Sequence, residues 1–277
     1  TVALITSCPI FGASNKAVTD VNSNELVVLT YHEIEEPASA ALPDYAITPE
    51  AFKRQIDWLK RKGYNFVSLD QVIAAKKYNK TLPSRPLLLT FDDGYRSVYT
   101  NAFPLLKQYQ APAVVSVVGT WLEPESGMVH FGDNLLERNK FLSWQQLREL
   151  KKSGLVEIAS HTYNLHRGIP GNPQLNSMPA VSTRQYTAEN GYENERQYRR
   201  RLEQDLKRNI EILTQKLGSS PRAIAWPYGR YNSTAESVAV ELGMPVGLTL
   251  DDGPNAEDVS LSSCLLYTSD AADEGLG

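Results

Sequence analysis

The stretch PLLLTFDDGY, Pro86 to Tyr95, decides how this chain is read. Its apolar run does not alternate with polar residues, so it fits a strand buried on both faces, as in a parallel sheet. The run ends in two adjacent aspartates and a glycine. Neighbouring side chains on a strand point to opposite faces, so both carboxylates reach one site only if the chain turns out of the strand there. Gly94 permits that turn.

Working outward, strand-like apolar runs recur at Leu26 to Tyr31, Asn65 to Leu69, Leu87 to Phe91, Ala113 to Val118, Val156 to Ser160, Ala223 to Trp226 and Val246 to Leu250. Helical segments with readable starts lie between them. Thr48 caps a helix with Pro49 in its first turn, its apolar face is Phe52, Ile56 and Leu59, and Gly63 stops it. SWQQ (Ser143 to Gln146) and STAE (Ser233 to Glu236) read as capping boxes. Strands alternating with helices imply βαβ units and a parallel sheet, and seven strands make an irregular α/β barrel, one strand short of the eightfold form.

The chain has 277 residues, 42% of them hydrophobic, enough for a large core, and its net charge of -4 argues against nucleic acid as a partner. The ends read differently from the middle. Residues 1–25 hold VALITSC and a polar linker: the apolar run before Cys8 has the form of a lipobox, making Cys8 a lipidation site, or of the stub of an ordinary signal peptide. Residues 263–277, which include Cys264, show no sustained period and no clear cap, and are set apart as a non-native-looking tail. Residues 26–262 are then the folded domain.

In a barrel, chemistry gathers at the C-terminal ends of the strands. Asp92 and Asp93 close one strand, and His161 and His166 follow another in EIASHTYNLH. Two histidines and a carboxylate form a facial set for zinc, ferrous iron or cobalt, with positions left open for water and substrate. Without the aspartates the two would read equally well as ordinary loop histidines. A second DDG, Asp251 to Gly253, has no histidine pair after it and reads as a solvated turn, with a substrate or metal role as the alternative.

TFDDG, the histidine pair and WPYG (Trp226 to Gly229) together resemble the polysaccharide deacetylases of the NodB-homology family, over most of Leu26 to Leu250. The resemblance implies one divalent metal (zinc, nickel, cobalt or iron) held by Asp93, His161 and His166. It makes Asp92 the general base and the Tyr228 amide, after Pro227, an oxyanion donor. Trp226, Trp144 and Tyr31 are expected to line the substrate side. Three departures matter. The histidines are five apart where many members have four, Ala225 stands where an arginine usually orients the base, and no histidine follows His166 to serve as the late acid. Arg222 is too far along an extended strand to replace that arginine.

The missing acid points to His32 in LTYHEI, at the end of the first strand, with His130 in GMVHFGD as its rival. That order resembles a circularly rearranged branch of the family, the poly-β-1,6-N-acetyl-D-glucosamine deacetylases. The expected fold is therefore an irregular, circularly rearranged (β/α)7 barrel. The resemblance implies an N-acetylglucosamine polymer as substrate and biofilm exopolysaccharide export as context. It also implies a periplasmic, outer-membrane lipoprotein of a Gram-negative bacterium, with an export porin as partner. A chitin or peptidoglycan deacetylase, or a catalytically weak glycan-binding export module, are the alternatives. His166 to Asn194 is rich in Gly, Pro, Asn and Ser and reads as a flap or a floppy insertion. Arg196 to Leu213 reads as an amphipathic helix with Tyr198, Leu202, Leu206 and Leu213 inward and its arginine run solvated.

Overall fold

The computed structural model describes residues 25–132, 134–251, 255, 260–264 and 267–268. Its centre is a sheet of strands β1 (Val27–Tyr31), β2 (Asn65–Phe66), β3 (Pro86–Phe91), β4 (Ala113–Val117), β5 (Val156–Ser160), β6 (Ala223–Ala225), β7 (Val246–Leu248) and β8 (Tyr267–Thr268). The order across it is β7-β6-β5-β4-β3-β1-β8, with β2 on β3 beside β4. Every ladder in it is parallel. All six residues of β3 are buried, as a central parallel strand requires.

The pleat divides the core. Leu87, Leu89 and Phe91 of β3 pack, with Val115 and Val117 of β4, against a helical layer that includes Phe52, Ile56, Phe103, Leu147 and Leu150. Leu88 and Val114, one residue out of phase, join Val28, Ala159, Ala223, Ala225, Val246 and Leu248. The small residues of this second cluster let the sheet curl around it. The architecture is a mixed α/β fold with a curled parallel half-barrel sheet, in line with the expected barrel.

The helices show where local chemistry decides boundaries. In α1 (Pro49–Arg61) the Thr48 side chain accepts from the Ala51 amide, and Gly63 beyond its end has φ 79°. The run expected as a strand over Asn65 to Leu69 is cut to β2, because Ser68 and Gln71 form a capping box that starts α2 (Leu69–Tyr78). Ser143 and Gln146 cap α4 (Trp144–Lys152), which follows α3 (Phe103–Tyr109). The cap expected at Ser233 shifts by one residue: Asn232 accepts from the Ala235 amide and Ser233 opens α6 (Ser233–Glu241).

Two expectations about the later chain are corrected. The stretch from His166 to Asn194 is built rather than floppy: it holds the hairpins Gly168–Pro170 with Ser177–Pro179 and Tyr186–Thr187 with Gly191–Tyr192. Helix α5 (Glu195–Leu217) buries Tyr198, Leu202, Leu206 and Leu213. Its arginine run is not all solvated, however. The Arg201 guanidinium donates to both Glu193 carboxylate oxygens and to the carbonyls of Ala180 and Thr183, which pins the hairpin segment to the helix.

At the end of the chain, the described residues of the stretch set apart as 263–277 take part in the sheet. Cys264 makes a parallel bridge to Leu248, and β8 pairs with β1. Gly247 makes room, since a Cβ there would run into the Ser262 carbonyl. Cys8 and the rest of residues 1–24 lie outside the described residues, as does Asp252. No described helix is long and apolar enough to cross a membrane.

Arg201→Ala should lower stability by about 1–3 kcal/mol, because Glu193 and two carbonyls lose a shared, mostly buried donor. Urea unfolding measures the loss, and limited proteolysis should cut first within residues 167–194.

Candidate active site

The site is assembled at the C-terminal ends of β3, β5 and β6, and in each case the chain leaves the strand through a left-handed residue. After β3, Asp93 has φ 67° and Gly94 also 67°; after β5, Thr162 has φ 68°; after β6, Tyr228 has φ 58°. For non-glycine residues each such turn costs on the order of 1–3 kcal/mol and persists only where the surroundings over-determine it. At β3 the turn is what lets adjacent aspartates face one site, and it starts at Asp93 itself. Gly94 is required a step later, where a Cβ would lie 2.7 Å from Cγ1 of Val117.

Asp93, His161 and His166 are all buried and offer ligand atoms within 4.8 Å of one another. Oδ1 of Asp93 lies 3.3 Å from Nε2 of His161 and 3.3 Å from Nε2 of His166. That oxygen makes no aligned hydrogen bond among the described residues, although burial makes an unpaired carboxylate oxygen costly. Donors about 2.0–2.1 Å from a tetrahedral ion stand about 3.3–3.4 Å apart, so the set fits one divalent cation. The His161 tautomer agrees: its Nδ1 donates to the Ala225 carbonyl at 2.8 Å, which leaves Nε2 with its lone pair facing inward.

At Asp93 and His166 the charges favour the same species. Burial opposes the Asp93 carboxylate, but His166, His161 and His32 around it outweigh burial and hold it well below the usual carboxylate range. Burial pushes His166 down to about 4, so it is neutral and able to ligate at pH 7. Burial also pushes His161 down, but the Asp93 and Asp92 carboxylates beside it win, and its affinity for a proton is raised. Three protein donors leave open positions on a bound ion.

Asp92 is buried next to this set. Its Oδ1 accepts a 2.6 Å hydrogen bond from Ser116 Oγ of β4, so a hydroxyl orients it where the family's usual arginine is replaced by Ala225. Arg222 is at the other end of the strands, donating to Glu157 and Asp70. His32, at the end of β1, is partly exposed and near enough that a protonated ring there would favour the Asp93 carboxylate and disfavour a proton on His166. Its neighbour Glu33 faces away and accepts from the Ala41 and Leu42 amides.

A family model described as polysaccharide deacetylase matches residues 79–247. The chain belongs to the polysaccharide deacetylase family. It is 38% identical over 232 residues to the poly-beta-1,6-N-acetyl-D-glucosamine N-deacetylase of Escherichia coli (strain K12), covering 83% of this chain. The chain spans about a third of that relative, 34% of its length. The BpsB deacetylase domain from Bordetella bronchiseptica superposes with TM-score 0.80 at 41% identity, covering 88% of this chain and 96% of that one. A de-N-acetylase from Aggregatibacter actinomycetemcomitans gives TM-score 0.81 at 36% identity, covering 88% and 95%.

The remaining expected site residues divide. Tyr228 is 42% exposed, with its ring 4.5 Å from that of His166. Trp226 and Pro227 are buried beneath it, the tryptophan stacked on Tyr231, so they shape the turn rather than face substrate. Tyr31 is a correction: it is fully buried between Phe52 and Phe91, and its hydroxyl donates to Gln55. Trp144 is another, packed on the helical layer with the Lys216 ammonium 6.0 Å from its ring centroid. The rings around His166 are instead Trp121 and Phe131, at 5.0 and 5.2 Å. Position just after β4 could have singled out Trp121, whereas Phe131 arrives on the strand Met128–Phe131 of a hairpin with Asn134–Glu137, with no local signal. His130, on the opposite face of that strand from Phe131, is exposed. Asp251 is an exposed acceptor for the Tyr231 hydroxyl, as a solvated turn would be.

Ser116→Ala should leave metal content unchanged and lower kcat by about one order of magnitude, since a misplaced base loses part of its 10²–10⁴-fold effect. Metal analysis alongside steady-state acetate release checks both halves.

Proposed function

We propose that this chain removes N-acetyl groups from poly-β-1,6-N-acetyl-D-glucosamine, with one divalent metal held by Asp93, His161 and His166. The observation that carries the reading is the buried carboxylate shared by two imidazoles, set beside a second carboxylate held by a hydroxyl. The named relatives' substrate, and a partly exposed histidine at the end of the first strand, support the branch and the linkage.

Amide hydrolysis adds water to the acetyl carbonyl carbon, breaks the C–N bond and releases acetate and a free amine. A bound ion would supply Lewis acidity toward the carbonyl and the water. Asp92, with Oδ1 fixed by Ser116, has Oδ2 to take the proton from that water. The Tyr228 amide is assigned to the developing oxyanion. His32 is assigned the transfer of a proton to the departing nitrogen, and Trp121, Phe131 and Tyr228 enclose the His166 side of the site. The setting we propose is the periplasm during exopolysaccharide export, with Cys8 as a lipid anchor to the outer membrane. Mass spectrometry of the mature protein made in a Gram-negative host should find Cys8 acylated at the N-terminus.

Acetate release should be faster from β-1,6 than from β-1,4 N-acetylglucosamine oligomers, should stop on chelation and should return with added metal. Equal rates on both linkages would remove the substrate assignment. Asp92→Asn should keep its metal and lose about two to four orders of magnitude in turnover. Alanine at Asp93, His161 or His166 should lose the metal itself.

In His32→Ala the basic limb of the kcat/KM profile should vanish at normal metal content, because a general acid must be protonated to act. A normal rate in His32→Ala together with a dead His130→Ala would move the acid to the hairpin.

A further inference from the structure

The segment between the two histidine ligands is five peptide units that must turn sharply, and it contains Thr162 at φ 68°. A β-branched residue in that region does not stay there by its own preference. Accounting for the backbone donors shows what holds it. The His161 amide donates to Val117 in the ladder, the Thr162 amide to Ser160 Oγ at 3.2 Å and the Leu165 amide to Thr162 Oγ1 at 3.1 Å. The amides of Tyr163 and Asn164 have one source of acceptors: the two oxygens of Asp205 on α5, at 2.8 Å each. On the opposite side, the Thr162 and Tyr163 carbonyls accept from the Gly119 and Thr120 amides. Gly119 cannot carry a side chain, because a Cβ there would run into the Tyr163 ring and Oδ1 of Asn209. Asn209, one turn beyond Asp205, donates to Ser160 Oγ at 2.8 Å, so the same helix reaches both ends of the turn.

We propose that Asp205 is a positioning residue for the metal site: its carboxylate, by taking the Tyr163 and Asn164 amides together, fixes the turn that brings His166 against Asp93 and His161. The proposal rests on the reading of Asp93, His161 and His166 as ligands, and it adds a residue that touches none of them. Asp205 makes this contact from a helix 39 residues beyond His166, so no local motif contains it. The bidentate geometry needs two acceptor oxygens: an amide side chain of the same shape keeps one and turns a donor toward the other N–H.

The test uses Asp205→Asn, with Leu202→Ala as a stability control on the same helix, since Leu202 is fully buried and Leu→Ala removes core contacts while leaving both Asp205 hydrogen bonds to the turn in place. Cobalt(II) binding to the metal-free proteins is followed by visible absorption in competition with a chelator, and melting of the metal-free forms is measured in parallel. Asp205→Asn should weaken cobalt binding by about 10–100-fold, the usual effect of losing a contact that orients metal ligands, and should change the d–d spectrum. Leu202→Ala should lower the melting temperature and leave affinity and spectrum as in the parent. If Asp205→Asn does not accumulate folded, Asp205→Glu replaces it; its carboxylate is one methylene out of place, and it should show the same weakening. Parental affinity and spectrum in a folded Asp205 variant, or equal weakening in Leu202→Ala, would overturn the proposal. Failure of the parent itself to bind cobalt would instead remove the ligand assignment beneath it.

Discussion

One buried oxygen, Oδ1 of Asp93, faces two imidazole nitrogens at 3.3 Å each, and the rest of the molecule is arranged to keep it there. Taken alone that is an expensive arrangement, because a desolvated carboxylate without aligned donors loses several kcal/mol relative to water. The neighbouring imidazoles recover part of this, and a divalent ion between the three atoms would recover more. The same oxygen therefore links the fold's stability to its chemistry. Strand ends must converge for it to be shared, and convergence needs a curled sheet with small residues inside.

Each of the three strands that meet at the site ends in a left-handed non-glycine residue: Asp93, Thr162 and Tyr228. Aspartate tolerates that region because its short side chain bonds locally; threonine and tyrosine do so less readily. The strain is countered by hydrogen bonds at each turn. The Leu142 amide bonds to the Gly94 carbonyl after β3, Asp205 and the Gly119 and Thr120 amides hold the turn after β5, and the Gly229 amide bonds back to Trp226 after β6. The site is thus built where the backbone is least able to relax, which suits ligands that must stay in place whether or not a cation is bound.

The elements legible in the sequence were those whose signals are local. The seven strand runs, the caps at Thr48 and Ser143 and the inward face of α5 depend on short-range pattern, and all appear. The strand over Asn65 to Leu69 was overextended because apolar content in FVSL hid a capping box whose geometry overrides it. What could not be read were contacts between distant segments: Ser116 on Asp92, Arg201 on the hairpin segment and Trp121 beside His166. Tyr31 and Trp144 erred the other way. Both are aromatic and near strand or helix ends, but the pleat and the helix face turn them into the core. Aromatic content marks a sugar site only once the facing direction of each ring is known.

The replacement of the usual arginine by Ala225 shows how the site keeps its order without a cation beside the base. A guanidinium would engage both oxygens of Asp92 as a fork. The Ser116 hydroxyl engages one, Oδ1, at 2.6 Å. At the same position along β6, the Ala225 carbonyl takes the Nδ1 proton of His161. A backbone group does this irrespective of the side chain, so residue 225 is free to be small, and alanine there also packs inside the curled sheet. The Asp92 carboxylate is held from a neighbouring strand and the His161 ring by the main chain, and neither contact depends on a long charged side chain holding one conformation.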